Sequence, residues 1–212
     1  MNVIFEKANT DFRILVMEIT ETPETLYYKI QNDLSKDEII KYNSFKNKKR
    51  KAEWLGVRIT LKKMLGKYYE ILYNKNGNPY IETNKNISIS HSNGIIGIIL
   101  KNKKDIGIDV EILSDKILRT AHKFITNSEL LTFKEDEKIK KIYLNWCCKE
   151  TLFKIKEEGG YDFKDNFKIL DSALKNSGIK KAIISKNNLE EYFCLNYKFA
   201  KIDNKEILIV WL

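Results

Sequence analysis

The 212-residue sequence predicts an α+β fold in two halves, and three observations carry the prediction. A proline-free stretch from Asn47 to Tyr69 places Trp54, Val57, Leu61, Met64, Leu65 and Tyr68 at helical spacing. A second stretch, Ile139 to Glu157, has the same character. The last third of the chain falls instead into runs rich in β-branched and aromatic residues, Ile179 to Ser185, Tyr192 to Phe199 and Ile207 to Leu212, which read as an antiparallel set.

The remaining elements follow in order. Phe12 to Ile19 reads as a strand and Glu21-Thr22-Pro23-Glu24 as a polar turn. After the long helix, Asn76-Gly77-Asn78-Pro79 supplies turn chemistry, and short strands follow at Ile87 to Ser90 and Gly94 to Leu100. The polar run Lys101-Asn102-Lys103-Lys104-Asp105 marks a boundary, so that 1–103 and 104–212 form an N-terminal and a C-terminal lobe. A strand at Ile106 to Ile112 opens the second lobe, helical segments continue to about Glu158, and Gly159-Gly160 ends them. No strong internal repeat is visible.

Composition limits what the chain can be. Hydrophobic residues make up 43% and aromatic residues 11%, enough for a packed globule and unlike a disordered or fibrous protein. Apolar runs are only a few residues long, whereas a bilayer crossing needs about 20. Glu6 and Lys7 stand where a signal peptide would carry its apolar core, so the expected location is the cytoplasm. Cys147 and Cys148 are adjacent and Cys194 is distant, which provides neither a disulfide framework nor a paired zinc motif; buried thiols are the expectation. The 38 Lys+Arg against 29 Asp+Glu give a net charge of +9, a field that attracts phosphates, nucleic acid or an acidic protein.

Four segments carry chemistry. In Gly107-Ile108-Asp109-Val110-Glu111, strand alternation points Ile106, Ile108 and Val110 to the core and puts Gly107, Asp109 and Glu111 on the other face. Two neighbouring carboxylates repel unless a cation or strong donors neutralise them, and a hard ion such as Mg²⁺ would do so; an exposed, solvated strand face is the alternative. Gly107 leaves room for something to approach the backbone. Trp146, Glu150 and Lys154, spaced by four, line one side of a helix, where a plain Glu–Lys surface pair is the alternative. In Ile87-Ser88-Ile89-Ser90-His91-Ser92-Asn93-Gly94, hydroxyls, backbone N–H groups and an imidazole converge in a way that suits a phosphate, or else His91 is structural. His122 reads as structural. Arg50, Trp54, Arg58 and Lys62 fall at intervals of four behind Lys48, Lys49 and Lys51, a basic stripe fit for a nucleotide or for solvent.

In order and spacing, Ser90-His91-Ser92, Gly107 to Glu111 and Trp146-x-x-Lys149-Glu150-x-x-x-Lys154 together resemble the 4′-phosphopantetheinyl transferases, and more narrowly the monomeric, two-lobed type that activates nonribosomal peptide synthetases. The resemblance runs from about Arg50 to Gly160. It implies two pseudo-symmetric lobes, each a small, mostly antiparallel sheet packed with helices, with the site in the cleft between them. It implies transfer of the 4′-phosphopantetheine arm of coenzyme A to a serine of an apo acyl or peptidyl carrier protein, releasing adenosine 3′,5′-bisphosphate, in nonribosomal peptide or polyketide synthesis. By the same resemblance Asp109, Glu111 and Glu150 would bind Mg²⁺, with Mn²⁺ as the alternative ion. Lys154 would contact the pyrophosphate, and Glu150, directly or through water, would accept the serine proton. Ser90 and His91 would hold coenzyme A phosphates, and Arg50 and Arg58 match basic positions that contact it. Two departures stand out: Gly77-Asn78-Pro79 replaces the Gly-Lys-Pro of many relatives, and the turn after Lys154 reads Glu158-Gly159-Gly160-Tyr161.

Two competing readings use part of this pattern. A nucleic-acid-binding module accounts for the +9 charge and the basic stripe but leaves Asp109, Glu111 and Glu150 unexplained. A Mg²⁺-dependent phosphohydrolase keeps the metal and drops the carrier.

Overall fold

The computed structural model describes residues 1–156, 159–170 and 172–212. The chain forms two compact units, Met1–Ile106 and Gly107–Leu212, and every strand pair in both is antiparallel, as the α+β class requires.

Unit 1 begins with strands β1 (Asn2–Ala8) and β2 (Phe12–Glu18). Helices α1 (Pro23–Ile30), α2 (Lys36–Ser44) and α3 (Lys48–Leu65) follow, then the short β3 (Leu72–Tyr73) and β4 (Pro79–Tyr80) and the hairpin β5 (Asn86–Ser92) and β6 (Ile95–Lys101). The four-stranded sheet has the order β1-β2-β6-β5. Its central strands are buried on both faces, which is why Ile14 to Met17 and Ile95 to Leu100 are continuous apolar runs rather than alternating ones. The edge strand β1 is mostly exposed and carries Glu6 and Lys7, so its period is masked in the sequence. Asn93 and Gly94, both at positive φ (49° and 85°), make the two-residue turn between β5 and β6.

The segment expected to be a polar turn at Glu21 to Glu24 starts a helix instead. The Thr22 hydroxyl accepts from Thr25 N, and Pro23 sits at the first helical position, where its missing N–H costs nothing. Ser35 and Glu38 form a capping box on α2, and Asn47 caps α3. Helix α3 ends at Gly66, in the left-handed region at φ 76°, rather than continuing to Tyr69. Val57, Leu61 and Met64 of α3 pack on Leu15, Met17, Ile96 and Ile98 of the sheet, while Trp54 and Leu55 pack against Leu26 and Ile30 of α1.

Unit 2 opens with β7 (Ile108–Ile112), followed by two 3-10 turns at Asp115–Arg119 and Ala121–Lys123. Helices α4 (Asn127–Leu131) and α5 (Lys138–Phe153) lead to β8 (Phe167–Ile169), β9 (Ser177–Lys186), β10 (Leu189–Ile202) and β11 (Lys205–Trp211). The five-stranded sheet runs β7-β11-β10-β9-β8. The strand closest to the unit's start thus pairs with the strand at its end: Asp109 lies opposite Val210, and Glu111 opposite Leu208. Helix α5 presents Leu144, Cys147, Cys148 and Leu152 to a core that includes Leu195, Tyr197, Phe199, Leu208 and Val210. Glu157 and Glu158, and with them part of the helix end and of the Glu158-Gly159-Gly160-Tyr161 turn, lie outside the described residues. His122 is exposed on the second 3-10 turn. Among the described residues no helix is long and apolar enough to cross a membrane.

Candidate functional site

In unit 2 the geometry grows from a close approach of strand to helix. Gly107, just before β7, lies directly under α5: a Cβ there would stand 2.4 Å from the Thr151 carbonyl oxygen. What approaches the Gly107 backbone is therefore the unit's own helix. This contact sets α5 against β7 and brings the helix's last turn over Asp109.

Asp109 is buried, at 4% exposure, and Glu111 is half-buried, so the two carboxylates do not share one solvated face. The Lys154 ammonium, at the end of α5, donates to Asp109 Oδ1 at 2.9 Å and to the Ile108 carbonyl at 2.7 Å. An ordinary Glu150–Lys154 surface pair would not turn its lysine onto a carboxylate and a carbonyl of the neighbouring strand. Glu150, one turn earlier, has its carboxyl pushed up to about 7, first by burial and then by the charge on Asp109, with a smaller push from Glu111; Lys154 pulls the other way.

A carboxyl raised this way is stable in its protonated form. Its folded value lies above the 4.5 of the free group, so the fold loses stability as pH rises from about 4.5 to about 7, and the penalty stays above that. The Glu150→Gln variant is therefore expected to be more stable than the parent at pH 8 by about 1–3 kcal/mol without added metal, and nearly equal to it at pH 4. Thermal unfolding at the two pH values in EDTA checks this. An equal effect at both would show that the carboxyl is not perturbed.

The adjacent thiols are core residues. Burial raises Cys147 well above the usual thiol range, with the Asp109 charge next and a hydrogen bond to Asp109 contributing, and burial pushes Cys148 up to about 12. Neither supplies a thiolate near neutral pH.

Lys149 stands in the Trp146-x-x-Lys149-Glu150-x-x-x-Lys154 motif, but sequence reasoning gave it no role of its own. Its side chain is fully buried, and burial pulls the ammonium down to about 8. The charge is met by two backbone carbonyls, Phe124 O at 2.6 Å and Phe163 O at 2.7 Å. A lysine at a position flanked by Cys148 and one turn from Leu152 lies on the apolar side of α5, and that phase was the available signal. Trp146 stands between Phe124 and Phe163, with ring centroids 4.9 and 5.6 Å away.

In unit 1 the structure divides the basic stripe. Arg50 is exposed, and its Nη1 lies 2.9 Å from His91 Nε2. His91 Nδ1 in turn lies 3.5 Å from Glu53, and Lys49 donates to Asn93 Oδ1 at 2.6 Å. The first turn of α3 and the β5–β6 turn thus bring Lys49, Arg50 and His91 together, while Ser90 is buried in β5. Arg58 departs from the expectation of a phosphate contact. It is 3% exposed, ion-paired to Glu38 at 2.7 Å and stacked 3.2 Å above the Trp54 ring. Tyr68 donates to the other oxygen of Glu38, so the guanidinium is held inside a satisfied network. Lys62 pairs with Asp33 at 2.7 Å. The stripe is thus no single exposed face: Trp54 and Arg58 lie in the core between the exposed Arg50 and the partly exposed Lys62.

Asp109, Glu111 and Glu150 are hard oxygen donors, and the mutual charge that raises Glu150 is what a divalent cation would relieve, so the donor chemistry suits Mg²⁺ or Mn²⁺. Among the described residues no three His, Cys, Asp or Glu side chains are drawn together closely enough to hold an ion, and Lys154 is the cation in contact with Asp109.

Residues 105–208 match the model of the 4′-phosphopantetheinyl transferase superfamily. Over 118 residues the chain is 22% identical to the 4′-phosphopantetheinyl transferase AcpT of Salmonella typhimurium strain LT2 and 25% identical to that of Escherichia coli O157:H7. These matches cover 52% of this chain and 60% of each relative's length.

Proposed function

Because residues 105–208 place this chain in the 4′-phosphopantetheinyl transferase superfamily, we propose that the protein transfers the phosphopantetheine arm of coenzyme A to a serine of an apo acyl or peptidyl carrier protein. The observation that carries the reading is that the matched region contains both Asp109 on β7 and the Glu150–Lys154 turn of α5, which meet through the Lys154–Asp109 contact.

Transfer needs a neutralised pyrophosphate, a positioned serine and a proton acceptor. The serine Oγ bonds to the phosphorus that bears pantetheine, the bond from that phosphorus to the bridging oxygen breaks, and adenosine 3′,5′-bisphosphate leaves. Glu150 is the proposed acceptor, directly or through water: without a cation its carboxyl is pushed up to about 7, and a bound cation would draw it down from there. Lys154, anchored on β7, is positioned to give the pyrophosphate a positive charge. In unit 1, the exposed Arg50 would offer guanidinium donors to a phosphate beside His91, whose Nε2 accepts from Arg50; Ser90 is buried in β5, and Arg58 is left to the core. Asp109, Glu111 and Glu150 would hold Mg²⁺, which when bound polarises a phosphoryl oxygen and neutralises leaving-group charge. The same reading takes the protein as a cytoplasmic monomer of the two-lobed type. Its net charge of +9 would speed encounter with an acidic carrier.

Intact mass spectrometry of an apo carrier protein after incubation with the protein, coenzyme A and Mg²⁺ tests the proposal. The expected result is a gain of one phosphopantetheine that EDTA abolishes. No gain across several unrelated carriers refutes it. Coenzyme A cleavage at a rate indifferent to carrier would establish the phosphohydrolase instead.

A further inference from the structure

In the transfer chemistry above Lys149 touches nothing that reacts, yet it is the most completely enclosed cation near the site. Its side chain is 0% exposed, and its ammonium donates to the carbonyls of Phe124 and Phe163 at 2.6 and 2.7 Å. Burying an ammonium costs several kcal/mol that charge-assisted bonds offset only when their geometry is good. A methionine would fill much the same volume without that cost, so the cation must supply direction that an apolar side chain cannot.

The two carbonyls belong to the residues whose rings enclose Trp146. Aromatic stacking tolerates sliding and rotation, whereas two hydrogen bonds from one nitrogen fix a point. The segments being fixed are themselves stiff. Phe124 sits just before the Thr126–Glu129 capping box of α4. Phe163 sits in a turn where Asp162 Oδ1 accepts from Lys164 N and Asp165 N, and Asn166 donates to Ser185 O. Lys149 is therefore a strut between two rigid pieces and α5.

We propose that Lys149 is a positioning residue: by fixing Phe124 and Phe163 to α5 it sets the rotation of that helix, keeps Trp146 between the two rings, and so orients Glu150, the next residue along. The consequence for transfer rests on the function proposed above; the consequence for local order does not.

The test compares the Lys149→Met and Lys149→Arg variants with the parent at a temperature where far-UV circular dichroism shows all three folded. Amide hydrogen exchange of residues 161–166 should rise by about tenfold in Lys149→Met and return toward the parent rate in Lys149→Arg, which restores a cation able to donate to both carbonyls. Turnover on an apo carrier should fall by about tenfold in Lys149→Met, with the KM for coenzyme A within about twofold of the parent. If Lys149→Met does not fold, Lys149→Gln, which keeps an uncharged amide donor, is read by the same two measures. Unchanged exchange in 161–166 overturns the proposal, and so does parental kcat in a variant whose only defect is a lower Tm. A parent that transfers nothing defeats the proposed function, and the exchange arm still decides the role of Lys149.

Discussion

The Asp109→Asn variant is expected to lose phosphopantetheine transfer by about 100-fold or more while remaining folded. Asp109 is the point where strand and helix meet chemically: it receives Lys154 at 2.9 Å, and its charge is the largest influence on Glu150 after burial. Asparagine keeps the shape and still accepts from the lysine. It removes the negative charge that fixes Lys154 and that raises Glu150. Without a cation Glu150 should then titrate closer to the ordinary carboxylate range, and an oxygen donor for a cation is lost at the same time. Because the substitution also relieves a buried charge, folding stability should change little. Initial rates by intact mass spectrometry, read beside thermal unfolding, separate the two effects. Parental activity in the variant would remove Asp109 from the mechanism.

Gly107→Val is expected to destabilise the protein by about 3 kcal/mol or more. The reason is steric and not conformational. A Cβ at this position would lie 2.4 Å from Thr151 O and 2.9 Å from Thr151 Cγ2. The carbonyl belongs to the backbone of α5 and cannot rotate away, so the whole helix must move off β7. Trimming the side chain by Thr151→Ser therefore should not rescue Gly107→Val. Gly159→Ala, where no atom lies within 4 Å, is the control and should stay within about 0.5 kcal/mol of the parent. Chemical denaturation of the four proteins measures this. A loss below about 1 kcal/mol would mean that α5 can retreat without cost.

Much of the architecture was legible because it rests on local periodicity. The bodies of α3 and α5 and of β2, β7, β9, β10 and β11 follow from apolar spacing. The elements that escaped are those whose pattern is weak or polar. The edge strand β1 hides behind charged residues, and α1 and α2 are short helices marked mainly by their caps. Thr22-Pro23 shows how turn and helix-start signals share the same residue types, so that only the following chain decides between them.

The sequence by itself determined the α+β class, the motifs shared with the transferase superfamily, and the short-range placement of Asp109 and Glu111 on one strand and of Glu150 and Lys154 on one helix. All of these depend on contacts between residues close in the chain. Only the tertiary structure decided which charges face a partner and which lie inside. It buried Arg58 on Glu38 and enclosed Lys149 between two carbonyls. It turned Lys154 onto Asp109 rather than leaving it to a neighbour on its own helix. The physical reason is the same in each case: a long charged side chain is satisfied by whichever acceptor the packing of distant segments brings within about 3 Å, and no local spacing encodes that distance.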